Sequence, residues 1–163
     1  MAQLGSTTVF GDLSVTGKTN FSKPFSAHLT STQSNAENGF NVNIFDSVDI
    51  SSSSITKDSS SQISFNEAGV YSISWMVNFH RTGSGSRNIM YSEIELNNNY
   101  LSSRSRVADY IRNDGNGDEC STGNTVFLSI SSGDTLKIYA NQERGGESGN
   151  DIERAFINIS KIE

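Results

Sequence analysis

The sequence predicts an all-β, antiparallel sandwich, and three observations carry that prediction. Ser, Asn and Gly are abundant, proline occurs once, and apolar residues make up 34% of the 163 residues. Runs of Leu, Ala, Glu and Lys are absent, which favours short strands and polar turns over helices. Apolar residues recur at every second position in several segments, most clearly from Tyr71 to Phe79. Clusters of Gly, Asn, Asp and Ser separate these segments at short intervals, which is turn chemistry.

Residues 1–24 stand apart as an N-terminal β arm. Val9-Phe10-Gly11-Asp12-Leu13-Ser14-Val15-Thr16-Gly17 alternates, with Val9, Leu13 and Val15 on one side. A lone strand of this kind is not stable by itself and needs a partner surface. Val9, Phe10, Leu13, Val15 and Phe21 are therefore the candidate partner-binding residues of the arm. The competing reading is a frayed terminus or an ordinary edge strand. Pro24 holds its predecessor extended and marks the joint into the main domain, 25–163.

Within that domain Phe25 to Leu29 is predicted as the first strand and Ser31 to Gly39 as a polar loop. Phe40 to Ile50 is read as one strand on Phe40, Val42, Ile44 and Val48. Ser51 to Ser61 is a loop or a weak edge. Ile63 and Phe65 lead through Asn66-Glu67-Ala68-Gly69 into Tyr71, Ile73, Trp75, Val77 and Phe79. A helix would scatter those five residues around its axis, whereas a strand puts them all on one buried face. Arg81 to Arg87 is a Gly/Ser loop and Ile89 to Leu96 a strand. Asn97-Asn98-Asn99 is a turn, since Asn tolerates left-handed backbone. Strands are further expected near Val107–Ile111, Thr125–Ile130 and Leu136–Ala140. A last strand, carrying Ala155, Ile157 and Ile159, closes the domain. Asn113 to Gly123 and Asn141 to Asp151 are expected as loops. Eight to ten short strands make a sandwich, and a jelly-roll arrangement limits its exposed edges.

Composition narrows the function. The formal charge is −6, so the basic footprint of nucleic-acid binding is missing. No stretch has the roughly 18 consecutive apolar residues of a membrane-spanning helix. The one cysteine, Cys120, cannot form an intrachain disulfide and is expected to be a small, partly buried residue. Residues 1–20 show no secretory leader pattern. The expectation is therefore a product of the host cytoplasm, with the Asn20 and Asn158 sequons unused.

Four segments resemble the tumour-necrosis-factor/complement globular-head superfamily. SFNEAGVYSISWMVNF (Ser64 to Phe79) is similar to its central strand, and TVFLSISSGDTLKIYA (Thr125 to Ala140) to a later hairpin. FSAHLT (Phe25 to Thr30) is similar to the first strand and AFINISKIE (Ala155 to Glu163) to the terminal strand. The resemblance spans about 25–163 and implies a ten-strand jelly roll packed as a homotrimer. On that basis Tyr71, Tyr91, Tyr100 and Tyr139 are candidate trimer contacts. An ordinary place in the intrachain core is the competing reading for each. A collagen-like stalk is missing. FGDLSVTG in the arm resembles repeats of phage tail and head fibres, and phage virion proteins use the same kind of head.

Little in the sequence speaks for catalysis. His28 and His80 are the only histidines, and no Gly-x-Ser-x-Gly elbow or phosphate-cradling motif stands in the required context. Asn113 to Glu119 places oxygens at alternate positions, as a hard cation requires. Glu119 stands where an EF-type loop needs Gly, and Thr125 where it needs Glu. The segment is therefore read first as an acidic turn, with Asp114, Asp118 and Glu119 as calcium candidates of second rank. Tyr110 and Arg112 are candidates for stacking on a sugar.

No enzyme activity and no cofactor are expected. The leading expectation is a trimeric capsid decoration or cement protein, held to the major capsid protein or other virion proteins by its arm. The alternative is a short fibre tip that binds a host receptor or surface glycan.

Overall fold

The computed structural model describes residues 23–83, 87–112, 118–145 and 148–162. The arm residues Val9, Phe10, Leu13, Val15 and Phe21, and Asp114 of the acidic turn, lie outside the described residues.

Twelve strands are present among the described residues. In chain order they are β1 (Phe25–His28), β2 (Phe40–Asn41), β3 (Ser47–Ile50), β4 (Ile55–Lys57), β5 (Ile63–Phe65) and β6 (Gly69–Arg81). There follow β7 (Asn88–Leu96), β8 (Asn99–Tyr100), β9 (Val107–Ile111), β10 (Glu119–Ile130), β11 (Thr135–Arg144) and β12 (Asn150–Lys161). A single helical turn, α1 (Ser102–Ser105), stands between β8 and β9. Sheet one has the order β10-β6-β12-β1-β3. Sheet two has the order β4-β5-β11-β7-β8, with β2 added on β11 and β9 on β7. The strand pairs are antiparallel.

The alternation from Tyr71 to Phe79 does what its spacing predicts. Tyr71, Ile73, Trp75, Val77 and Phe79 all face inward from β6 and are at most 2% exposed. Val126, Leu128 and Ile130 of β10 flank them on one side, and Ala155, Ile157 and Ile159 of β12 on the other. Ile63, Phe65, Met90, Ile94, Leu136 and Ile138 close the core from sheet two. One polar link crosses this layer. Trp75 Nε1 donates to Ser92 Oγ at 3.1 Å, and Ser92 Oγ lies 2.6 Å from Thr122 Oγ1. The indole is thus satisfied where no water reaches it.

The terminal strand β12 lies in the middle of sheet one, between β6 and β1. The Asn turn is also where the sequence puts it. Asn97 and Asn98 have φ of 51° and 60°, the left-handed pair that a two-residue hairpin requires.

The structure corrects three boundaries. Phe40 to Ile50 is two strands in different sheets, since β2 pairs with β11 and β3 with β1. The chain crosses at a turn in which Asp46 N donates to Asn43 O. Ile44 and Phe45 are consecutive and both fully buried, which a straight strand with one inward face does not allow. Residues 119–123 are strand rather than loop. They pair with the far end of β6, Cys120 opposite Phe79 and Thr122 opposite Val77. Asn141 to Asp151 is likewise shorter as a loop, because β11 runs to Arg144 and β12 starts at Asn150. In both places turn-forming residues are held in a strand by a long partner already committed to the core.

Candidate functional site

The groups with acid–base potential sit at the margins of sheet one. His28 Nδ1 lies 2.9 Å from Asp49 Oδ2. His80 lies 2.8 Å from Glu153 through Nδ1 and 3.7 Å from Asp118 through Nε2. Carboxylates so placed orient the imidazole rings. Asp118 therefore faces His80, and Glu119 opens β10 and accepts from Asn78 Nδ2 at 3.5 Å. Among the described residues no group of three or more His, Cys, Asp or Glu could hold a metal ion. Tyr110 is 43% exposed on β9, and Arg112 follows it on the surface.

The tyrosines named as trimer contacts separate into two sets. Tyr71 is fully buried inside the sandwich, 4.8 Å from Phe65 between ring centroids, and its hydroxyl donates to Glu67 O. It belongs to the intrachain core and has no surface left for a neighbouring subunit, because its odd-numbered position on β6 points inward.

Tyr91, Tyr100 and Tyr139 meet instead on the outward face of sheet two. Tyr139 of β11 stands opposite Glu93 of β7, and Tyr100 of β8 opposite Glu95. The Tyr100 and Tyr139 rings approach to 4.8 Å over the intervening strand, and Tyr91 lies 6.3 Å from Tyr139. Beneath them Glu93 and Glu95 are 1% and 6% exposed. Buried carboxylates need counter-charges, and each has one. Arg106 makes two bonds to Glu93, Nη2 to Oε1 at 2.8 Å and Nε to Oε2 at 3.2 Å. Lys137 Nζ donates to Glu95 Oε1 at 2.9 Å and to Asn98 Oδ1 at 2.8 Å. The Arg106 guanidinium also stands 4.1 Å from the centre of the Tyr91 ring. Burial pushes the Tyr91 and Tyr100 hydroxyls up from their ordinary value, so both rings are neutral at physiological pH.

The outward face of sheet one carries a second feature, which the sequence reading did not single out. Its even-numbered β6 positions are polar at Ser72, Ser74, Asn78 and His80 and apolar at Val70, where the strand starts, and at Met76. Met76 stands between Gly123 of β10 and Phe156 of β12, and Phe156 stands opposite His28 of β1. Phe156 is 43% exposed, and Phe127, further along β10, is 67% exposed. Around Met76, Gly123 and Phe156 the surface forms a shallow depression of about 480 Å³, whose floor rises only to the Gly123 backbone. The signal was present in the sequence. Phe127 and Phe156 are large aromatic residues out of phase with strands whose other apolar residues face inward.

No protein-family model matches the sequence, and neither does any curated protein sequence. Solved structures do match. Murine APRIL superposes with a TM-score of 0.56 at 13% identity, covering 86% of this chain and 100% of that one. The globular domain of a zebrafish complement 1qA protein gives 0.51 at 13% identity, covering 86% of this chain and 97% of that one. The likeness is one of fold: this chain is a jelly roll of the tumour-necrosis-factor/complement-head type.

Proposed function

We propose that this chain is a non-enzymatic, homotrimeric head of a virion surface. In this reading a capsid decoration protein self-associates through the outward face of sheet one and grips its support with the N-terminal arm. The observation that carries the trimer is the exposure of large apolar side chains from this sheet, Phe156 beside Met76 at the depression and Phe127 further along β10. Burying an exposed aromatic side chain between subunits is worth about 1.5–3 kcal/mol, and a three-fold contact would bury each residue three times. The jelly roll itself supports the trimer through its likeness to the globular heads above. The arm supports the virion role through its strand-forming alternation, which has to find a partner, and through its likeness to fibre repeats.

Sedimentation equilibrium at micromolar concentration should give the mass of three 17.7 kDa chains. Phe127→Asp combined with Phe156→Asp should give a folded monomer with an unchanged far-ultraviolet circular dichroism spectrum. A wild-type monomer, or a double variant that stays trimeric, overturns the assembly. Deleting residues 2–20 should abolish attachment to virions while leaving the trimer intact, and full attachment by the truncated head overturns the anchoring.

A second reading, a fibre tip that binds the host, is favoured by the exposed ring of Tyr100 on the opposite face. Electron microscopy of virions separates the two by position and number. Many copies on the shell mean decoration, and a few at the tail or vertices mean a fibre.

A further inference from the structure

The row Arg106–Tyr91–Tyr139–Tyr100 on sheet two has features that core packing does not require. Core aromatics turn inward, whereas these rings turn to the outer side of sheet two, with Tyr91 buried under its neighbours, Tyr139 partly covered and Tyr100 51% exposed at the open end of the row. They are nevertheless fixed. Tyr139 packs against Tyr100 at 4.8 Å, and its hydroxyl accepts from Asn141 Nδ2 at 3.0 Å. Gly39 has φ of +71°, and a side chain there would collide with the Tyr139 hydroxyl and Asn141. The Tyr139 hydroxyl thus packs closely against the backbone at Gly39, which fixes this end of the row and leaves Tyr100 as its open end. Tyrosines held in this way offer large contact area with little further entropy to lose on binding.

The charges beside the row select against ionic ligands. Glu93 is bound by Arg106 and Glu95 by Lys137, so neither pair leaves an unmatched charge. An acidic glycan or a phosphate would have to break one of these pairs to gain a cation. A quaternary ammonium ion needs open ring faces around an empty box. Here Arg106 already covers one face of Tyr91, and the Tyr100 and Tyr139 rings are in contact with each other. What remains on offer is the aromatic surface of Tyr100 with its neutral phenolic hydroxyl, the amide nitrogen of Asn98, whose oxygen is held by Lys137, and the amide oxygen of Asn99, whose nitrogen is held by Asn97 O. That set matches a ligand with an apolar C–H face and a rim of hydroxyl groups. We infer that the Tyr100–Tyr139 row is a binding site for a neutral saccharide, a pyranose ring stacking on Tyr100 with its hydroxyls turned toward the flanking amides.

This goes beyond the assembly reading and does not rest on it, because the row lies on the face opposite Phe127 and Phe156. The test is the full-length chain on an immobilised array of neutral, acidic and choline-bearing glycans, followed by calorimetric titration with the free neutral oligosaccharide that is retained best. The expected result is retention of neutral glycans, with affinity reduced about tenfold or more by Tyr100→Ala and kept by Tyr100→Phe. Phe127→Ala should leave that affinity unchanged whatever it does to the oligomer. Tyr100 is exposed, so its truncation leaves the core intact, and an unchanged circular dichroism melt checks this. Retention of acidic or choline-bearing glycans alone, retention of none, or an affinity indifferent to Tyr100→Ala each overturns the assignment.

Discussion

Cys120 lies on β10 opposite Phe79 of β6, and burial, with a smaller contribution from the charge of Asp109, pushes its thiol up to about 12. The cause is desolvation, which penalises the thiolate and leaves the neutral thiol untouched. Two consequences follow at the scale of this one residue. The folded chain should resist iodoacetamide at pH 8 and react only when unfolded, as mass spectrometry would show, because the thiolate is the nucleophile. The stability carried by the neutral thiol should be complete below its ordinary value of 9.0 and decline as pH rises from there toward about 12. Cys120→Ala should remove that part of the alkaline decline, read from urea midpoints across the range. Rapid labelling of the native chain at pH 8 would contradict both. The sequence identifies Cys120 as a partly buried free thiol, and what it lacks is the burial of the paired strand that sets the proton's affinity. The tyrosines show the same gap. Their number and spacing are visible in the chain, but Tyr71 is core and Tyr100 is surface only because β6 and β8 present opposite faces.

At the scale of the element, β10 decides most. Its first residues read as a loop, yet the strand runs the length of β6, with Glu119 opposite His80 and Ile130 opposite Gly69. Gly123 lies midway along it. A Cβ at this position would collide with the carbonyl oxygen of Trp75, so the two backbones depend on the missing side chain. Gly123→Ala should therefore destabilise the fold by about 1–3 kcal/mol, as overpacking of a close contact does. Urea denaturation followed by Trp75 fluorescence measures it. A neutral or stabilising effect, the usual result of relieving glycine's flexibility, would mean that the strands separate easily here. The same residue floors the depression beside Met76 and Phe156, so strand pairing and the shape of the apolar face are linked.

For the whole molecule, the pairing of β1 with β12 matters most. Phe25 stands opposite Ile159, and β12 joins β1 to β6 in the centre of sheet one. Sheet one cannot close until the final segment arrives, and sheet two likewise waits for β11, which pairs with β2, β5 and β7. Such non-local pairing places folding in about the millisecond-to-second range. Stopped-flow refolding of the Phe127→Asp/Phe156→Asp double variant, followed by Trp75 fluorescence, should show this, and microsecond relaxation would contradict the topology. The finished sandwich has two unlike outer faces. One is serine-rich with an apolar patch, and the other is a tyrosine row over neutralised carboxylates. The proposed self-association and the proposed ligand site each draw on one of these faces.

The sequence by itself determined the class of fold, the inner face of β6, the left-handed Asn turn and the inward phase of β12. These depend on period-two alternation and on local backbone preference, which act within a few residues and are written in the chain. It did not determine where Phe40 to Ile50 changes sheets, how far β10 extends, or which tyrosines share a surface. Those depend on which strands become neighbours, and residues distant in the chain are brought together only by closing the core. Glu93, Tyr139 and Tyr100 acquire their common environment from three different strands, so no local signal in any one of them announces the row.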